Sequence, residues 1–369
     1  MKKITKSPVS YVRSIGFSIV ELMVAILIGL IILAGVIQVV ITSKSTFLGQ
    51  EEMSFIQENA RYAVDLIGKD LQNAGYLGCA GNAANVAYVA KVSAGSADLW
   101  GVEYVKGYEG KPNGAASNAS FPALYRDQVL PIYQPGTTTV QDYPDSFIVR
   151  GGSGAVVALE TQSGLRFDLK SNPGFSEGEY IALIAEDCRR SAIVRAATVS
   201  GNSFTLSADS VCDTSIKPIR DQNYICNVGC LCSGESSNEL FHSGSVAMSY
   251  SIHAYYIADS GVLPGVPALK RRVLHDGVGR EEELALGVED MEVLYGIVVG
   301  NNMRYADASQ IVANGWSWSN VSSVQVSLLV RSQSASANQS QARPYLGNNY
   351  NDRFMRQVVT STFRLRNGI

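Results

Sequence analysis

Histidine and runs of like charge are what this sequence has least of. Its 369 residues include three histidines, His242, His253 and His275, and no pair of them falls at the spacing of a zinc site. His253, alone within an apolar strand-like stretch, reads as structural. Charged residues make up 17% of the chain and the formal net charge is −3, so no nucleic-acid-binding head is expected. There is no nucleophile elbow and no phosphate-binding loop. The glycine-rich stretch 150–157 lacks the phosphate-loop lysine and reads as a hairpin turn. Glu281–Glu283 and Lys270–Arg272 read as solvated loop ends or a surface ion-pair network, and 350–354 offers too few oxygens for calcium. With these signals missing, the sequence predicts no catalytic residue, no cofactor and no metal site, and hence no enzyme. Proline is also absent between Pro8 and Pro112, which leaves a long stretch without a helix breaker.

That stretch holds a basic leader, an apolar run and an amphipathic continuation. Residues 1–16 carry Lys2, Lys3, Lys6 and Arg13 and no acid. Residues 17–41 are then apolar over about 25 positions, enough to cross ~30 Å of hydrocarbon as a helix. The one charge inside the run is Glu21. A secretory signal places its small-residue cleavage site after the apolar core, whereas here Gly16 precedes it. A basic leader stays cytoplasmic, so the remainder is expected across the membrane. In that oxidising space Cys79, Cys188, Cys212, Cys226, Cys230 and Cys232 are disulfide candidates, with their pairing open.

Gly16-Phe17-Ser18-Ile19-Val20-Glu21, followed by the unbroken apolar run, resembles the type IV prepilin signature. The resemblance implies cleavage after Gly16 by a prepilin peptidase, which also methylates the new Phe17 amine. It makes Glu21 the fifth mature residue and a subunit-docking group, pairing with the terminal ammonium of a neighbouring stem. An ionised carboxylate in lipid costs a few kcal/mol or more unless paired, which gives that pairing a physical reason.

Beyond Ile41, Phe55, Ile56, Tyr62, Ala63, Leu66, Ile67, Leu71 and Ala74 recur at helical spacing, with Glu58, Asp65 and Lys69 on other faces. Gly75 reads as the helix stop. The period then changes to that of short strands between Gly, Asn, Ser and Pro clusters. Residues 107–145 read as irregular surface loop, and 233–237 and 332–340 as flexible loops. The stretches 247–258, 321–331 and 353–366 read as strands. In the last two, Val324, Val326, Leu328 and Val330 share one face, as do Met355, Val359, Phe363 and Leu365, with Arg356 opposite. Residues 301–319 read as a short helix or turn. The fold class predicted is α+β, a long N-terminal helix on a mainly antiparallel head.

The stretches 279–297, 318–332 and the closing VVTSTFRLRN resemble the C-terminal region of PilW-type minor pilins, a group akin to the J-type pseudopilin of type II secretion. This implies a leader (1–16), a transmembrane or filament-core helix (17–41), an amphipathic half (42–75) and a β-rich head (76–369) that can divide near 245. It implies a minor pilin that primes pilus assembly and supports twitching motility, adhesion and often DNA uptake. The implied partners are the prepilin peptidase, other minor pilins, the major pilin, a PilY-type tip adhesin and the inner-membrane assembly platform. The implied location is the inner membrane, head in the periplasm, and then the pilus tip. A J-like pseudopilin, or a membrane-anchored periplasmic enzyme or sensor, remain the alternatives. A head of ~290 residues is roughly 50 Å wide, while stem helices pack ~8–10 Å apart. Few copies at one end are therefore expected.

Overall fold

The computed structural model describes residues 16, 18–79, 86–88, 103–111, 115–133, 139–188, 191–206, 241, 243–274, 279–335, 341–345 and 348–367. It falls into two compact units, Met1–Glu51 and Glu52–Ile369. A single 55-residue α-helix, Ile19–Asn73, carries the chain from the first into the second. Ser18 opens it, its Oγ accepting from the Val20 N–H at 3.3 Å. Gly75 closes it at φ +69°, where a Cβ would lie 2.5 Å from the Tyr104 ring. Glycine is required there for both reasons.

Most of the second unit is antiparallel sheet. Strands Ser146–Ser163, Arg166–Leu169, Ser203–Leu206, Ser191–Ser200, Tyr180–Ile184 and Val246–Asp259 pair in that spatial order, and the last pairs back onto the first. The result is a small closed barrel without a free edge. Its interior is filled by Leu159, Phe167, Leu183, Val194, Phe204 and Phe241 among others, with Phe167 stacked on Phe204 at 5.0 Å. In Tyr180–Ile184 every residue is buried. Ile181 and Leu183 face the barrel interior, while Tyr180, Ala182 and Ile184 face a second core outside it. A five-residue apolar run with no alternation is what a strand covered on both faces requires.

Two barrel strands outrun the barrel. Ser146–Ser163 continues to pair with Val105–Tyr108, and Val246–Asp259 with Pro267–Leu274, which in turn pairs with Gly279–Leu286. Val246–Asp259 therefore belongs to both the barrel and its extension. A separate four-stranded antiparallel sheet has the order Asn302–Ala306, Val288–Val299, Val321–Arg331, Arg356–Arg364. Val324, Val326, Leu328 and Val330 point from it into a core shared with Ile56, Ala60, Ala63, Ile67 and Leu71 of the helix. Each buried Ile or Leu there contributes about 1.5–3 kcal/mol. The predicted short helix of 301–319 is Ala308–Ala313, capped by Asp307, whose carboxylate accepts from the Gln310 N–H at 2.7 Å.

Several expectations are corrected. Residues 150–157 form no hairpin but lie inside the long strand, where Gly151 and Gly152 admit the helix end: a Cβ on Gly151 would sit 2.5 Å from the Asn73 carbonyl. The segment 107–145 is not a surface loop throughout, because it sinks Phe121 and Tyr125 into the second core. Tyr62 is exposed, lying about 200° around the helix from buried Ala60 at 3.6 residues per turn. Arg356 is buried although it falls on the face read as polar, and Leu329, out of step with the apolar face of its strand, is buried too. Ser332, read as part of a flexible loop, is buried, and its Oγ accepts from the Met355 N–H at 3.0 Å. The reading of 233–237 falls outside the described residues.

Candidate functional site

The first unit holds the apolar half of the helix, and there every large apolar side chain is exposed. Ile19 is 78% exposed and Leu27 61%. Glu21 lies in the first helical turn, where the positive end of the helix dipole favours a carboxylate. Gly16 lies three residues before the helix start with open space around it. Phe17 falls outside the described residues. The helix from Ile19 is long and apolar enough to cross a membrane.

In the second unit the same helix is fastened by polar contacts as well as by its apolar stripe. Asp70 is the main one. Its Oδ2 receives His253 Nδ1 at 2.5 Å, Arg271 Nη1 at 3.0 Å and the Tyr255 hydroxyl. Burial pushes the Asp70 carboxyl upward, but the bonds from His253 and Tyr255 and the Arg271 charge outweigh it and hold the group below its ordinary value. Arg271 also pairs with Glu282 at 2.6 Å, and Lys270 with Glu281 at 2.7 Å, across paired strands rather than at loop ends, with Lys270 buried rather than solvated. The structural reading of His253 fits this role. Asp70 itself was not read from the sequence; its one signal is a carboxylate between the buried Ile67 and Leu71. Further along, the Asn59 side chain accepts from the Leu286 N–H at 2.9 Å, and Glu52 from the Gln333 N–H at 2.9 Å. Gly68 lets the helix approach the last strand: a Cβ there would lie 2.5 Å from the Phe363 ring.

Of the six cysteines, Cys79 and Cys188 form a disulfide with Cα atoms 5.3 Å apart, pinning the chain just past the helix to the barrel. Their separation of 109 residues makes it a large-loop cross-link, worth about 4–5 kcal/mol in the loop-entropy account. Cys212, Cys226, Cys230 and Cys232 lie outside the described residues. Among the described residues one group of acids, Glu109, Asp145 and Glu292, is close enough to hold a metal ion. The sequence reading missed it, since 36 and 147 residues separate its members in turn and no spacing rule links them.

Residues 254–367 match the family model described as type IV pilus-assembly protein W, PilW. No curated protein and no solved structure matches the chain. The match covers the outer strands of the barrel extension and the whole four-stranded sheet, the elements that grip the helix. On this match the C-terminal third of the chain is similar to the PilW proteins of type IV pilus assembly.

Proposed function

We propose that this protein is a minor pilin whose helix joins a filament core and whose head caps the assembling pilus. The observation that carries this reading is the contrast within one helix, apolar and uncovered from Ile19 to Ile41 yet embedded in a folded head from Ile56 to Leu71. An uncovered apolar helix needs lipid before assembly and other apolar helices after it. The order leader, Gly16, Phe17, Glu21 supplies a release step and a docking charge for that exchange. The work is assembly rather than catalysis. The head, held in the periplasm, joins other minor pilins and a large tip adhesin, in few copies and at the filament end. Motility, adhesion and DNA uptake follow from pilus extension and retraction.

Peptidase-dependent processing tests the reading. Mass spectrometry of the protein from cells with an active prepilin peptidase should find N-methylated Phe17 at the N-terminus, and Gly16→Val should leave the leader attached. An intact Met1 terminus in both would overturn it.

A further inference from the structure

The head also contains a pocket of carboxylates that the assembly role does not use. Glu109 follows the strand Val105–Tyr108, Asp145 precedes Ser146–Ser163, and Glu292 lies on Val288–Val299. They meet where Val288–Val299 outruns its partner Asn302–Ala306 and the chain near Asp145 lies alongside instead, the Asp145 N–H donating to the Met291 carbonyl at 2.8 Å. One ligand oxygen from each of the three lies within 4.8 Å of the others. Asp142 ends the strand Val140–Asp142, three residues before Asp145, and Asp290 lies two residues before Glu292 on the same strand. Lys111 Nζ stands 3.9 Å from Asp142.

The site is held in position before any ligand arrives. Asp145 is 3% exposed, and its two oxygens accept the Gly110 N–H at 3.0 Å and the Val293 N–H at 2.9 Å. Each oxygen keeps a second lone pair for a cation. Gly110 is needed for this approach, because a Cβ there would lie 1.8 Å from the Tyr143 carbonyl oxygen. Two wholly buried side chains meanwhile present oxygen atoms with no hydrogen-bond partner: the Tyr295 hydroxyl and Asp290 Oδ2. The Tyr295 hydroxyl lies on the Glu109 and Asp145 side of the cluster. Asp145 and Glu109 are the charges that act on it most, and a Cβ on Gly107, two residues before Glu109, would touch it at 2.1 Å. Glu109 Oε2 is likewise buried and unpartnered. Unpaired buried carboxylates are costly.

The geometry points to a binding site for one divalent cation of the calcium class, with Glu109, Asp145 and Glu292 as its carboxylate ligands. An all-oxygen set without Cys or His selects a hard cation over zinc. Oxygens across a calcium ion stand at most about 5 Å apart, which suits the observed cluster. Ligands drawn from three separate backbone segments make an irregular cage, which calcium tolerates better than the octahedral magnesium ion. Water would complete the shell. The inference does not depend on the filament role proposed above.

Full-length protein in detergent, stripped with a chelator, provides the test. Terbium, a calcium mimic, should bind one per chain and luminesce through Tyr295 and Trp318, whose rings lie 4.9 Å apart. Calcium should displace it more readily than magnesium. Calcium a hundredfold above Kd should raise Tm by about 5 °C. Glu109→Gln and Glu292→Gln, which preserve shape and relieve repulsion, should each weaken binding about tenfold or more. Asp168→Asn, at the exposed Arg166 pair on the barrel, should leave it unchanged. Absence of terbium emission and of any calcium-dependent Tm shift in the wild type overturns the site. So does binding that persists in both glutamine variants, and a preference for magnesium overturns the calcium class.

Discussion

The two halves of the long helix have opposite relations to their surroundings, although both are rich in apolar residues. Between Ile19 and Ile41 apolar side chains cover the whole circumference and none is buried. Between Ile56 and Leu71 they form a single stripe, and that stripe is sealed against the head. A stripe is satisfied within its own chain, whereas a helix apolar all round needs an apolar environment from outside. The difference shows where this protein's unmet apolar demand lies: in the outer half.

The comparison can be broken at several points, in descending order of effect. Replacing both Cys79 and Cys188 by alanine should lower head stability by about 4–5 kcal/mol, measured by denaturant unfolding of the full chain in detergent. The apolar half should keep its membrane insertion. Leu71→Ala should cost about 2–5 kcal/mol of head stability, while Leu27→Ala, in the exposed half, should cost none by the same measurement. Gly68→Ala forces the helix off Phe363 and should cost about 1–3 kcal/mol. Gly29→Ala and Gly35→Ala meet open space and should cost the head nothing. The smallest effect is on pH dependence. The Asp70 carboxyl is held below its unfolded value of about 3.9, so its contribution is complete above that pH and is lost as the pH falls through the lower folded value. Asp70→Asn should flatten this acid limb, seen in Tm measured against pH.

The helix and the C-terminal strands were legible because their signals are local and periodic. A run of 55 helical residues without proline, and the alternation Val324, Val326, Leu328, Val330, can each be read within one window. The barrel was not, because its closure depends on Val246–Ser249 pairing simultaneously with residues near 157 and 183. No window spans those positions. Gly151 and Gly152 looked like a turn because sequence records glycine's freedom but not the Asn73 carbonyl that demands it. Arg356 looked exposed because charge is the usual surface mark, yet it is buried in an ion-pair set, 2.6 Å from Glu289 and 2.5 Å from Asp352. The Cys79–Cys188 pair was one candidate among many, chosen by a fold the cysteine spacing does not encode. Gly16 and Glu21 were read from a motif, and the roles proposed for them are tested by processing and assembly.

The most direct test of the account compares what covers the two halves in assembled pili. A photo-crosslinking residue placed at Leu27 should yield adducts with the stems of other pilin subunits. The same residue at the exposed Tyr62, on the half held by the head, should yield few. Adducts at Leu27 with lipid alone, in purified pili as in membranes, would contradict the claim that the outer half is an assembly surface.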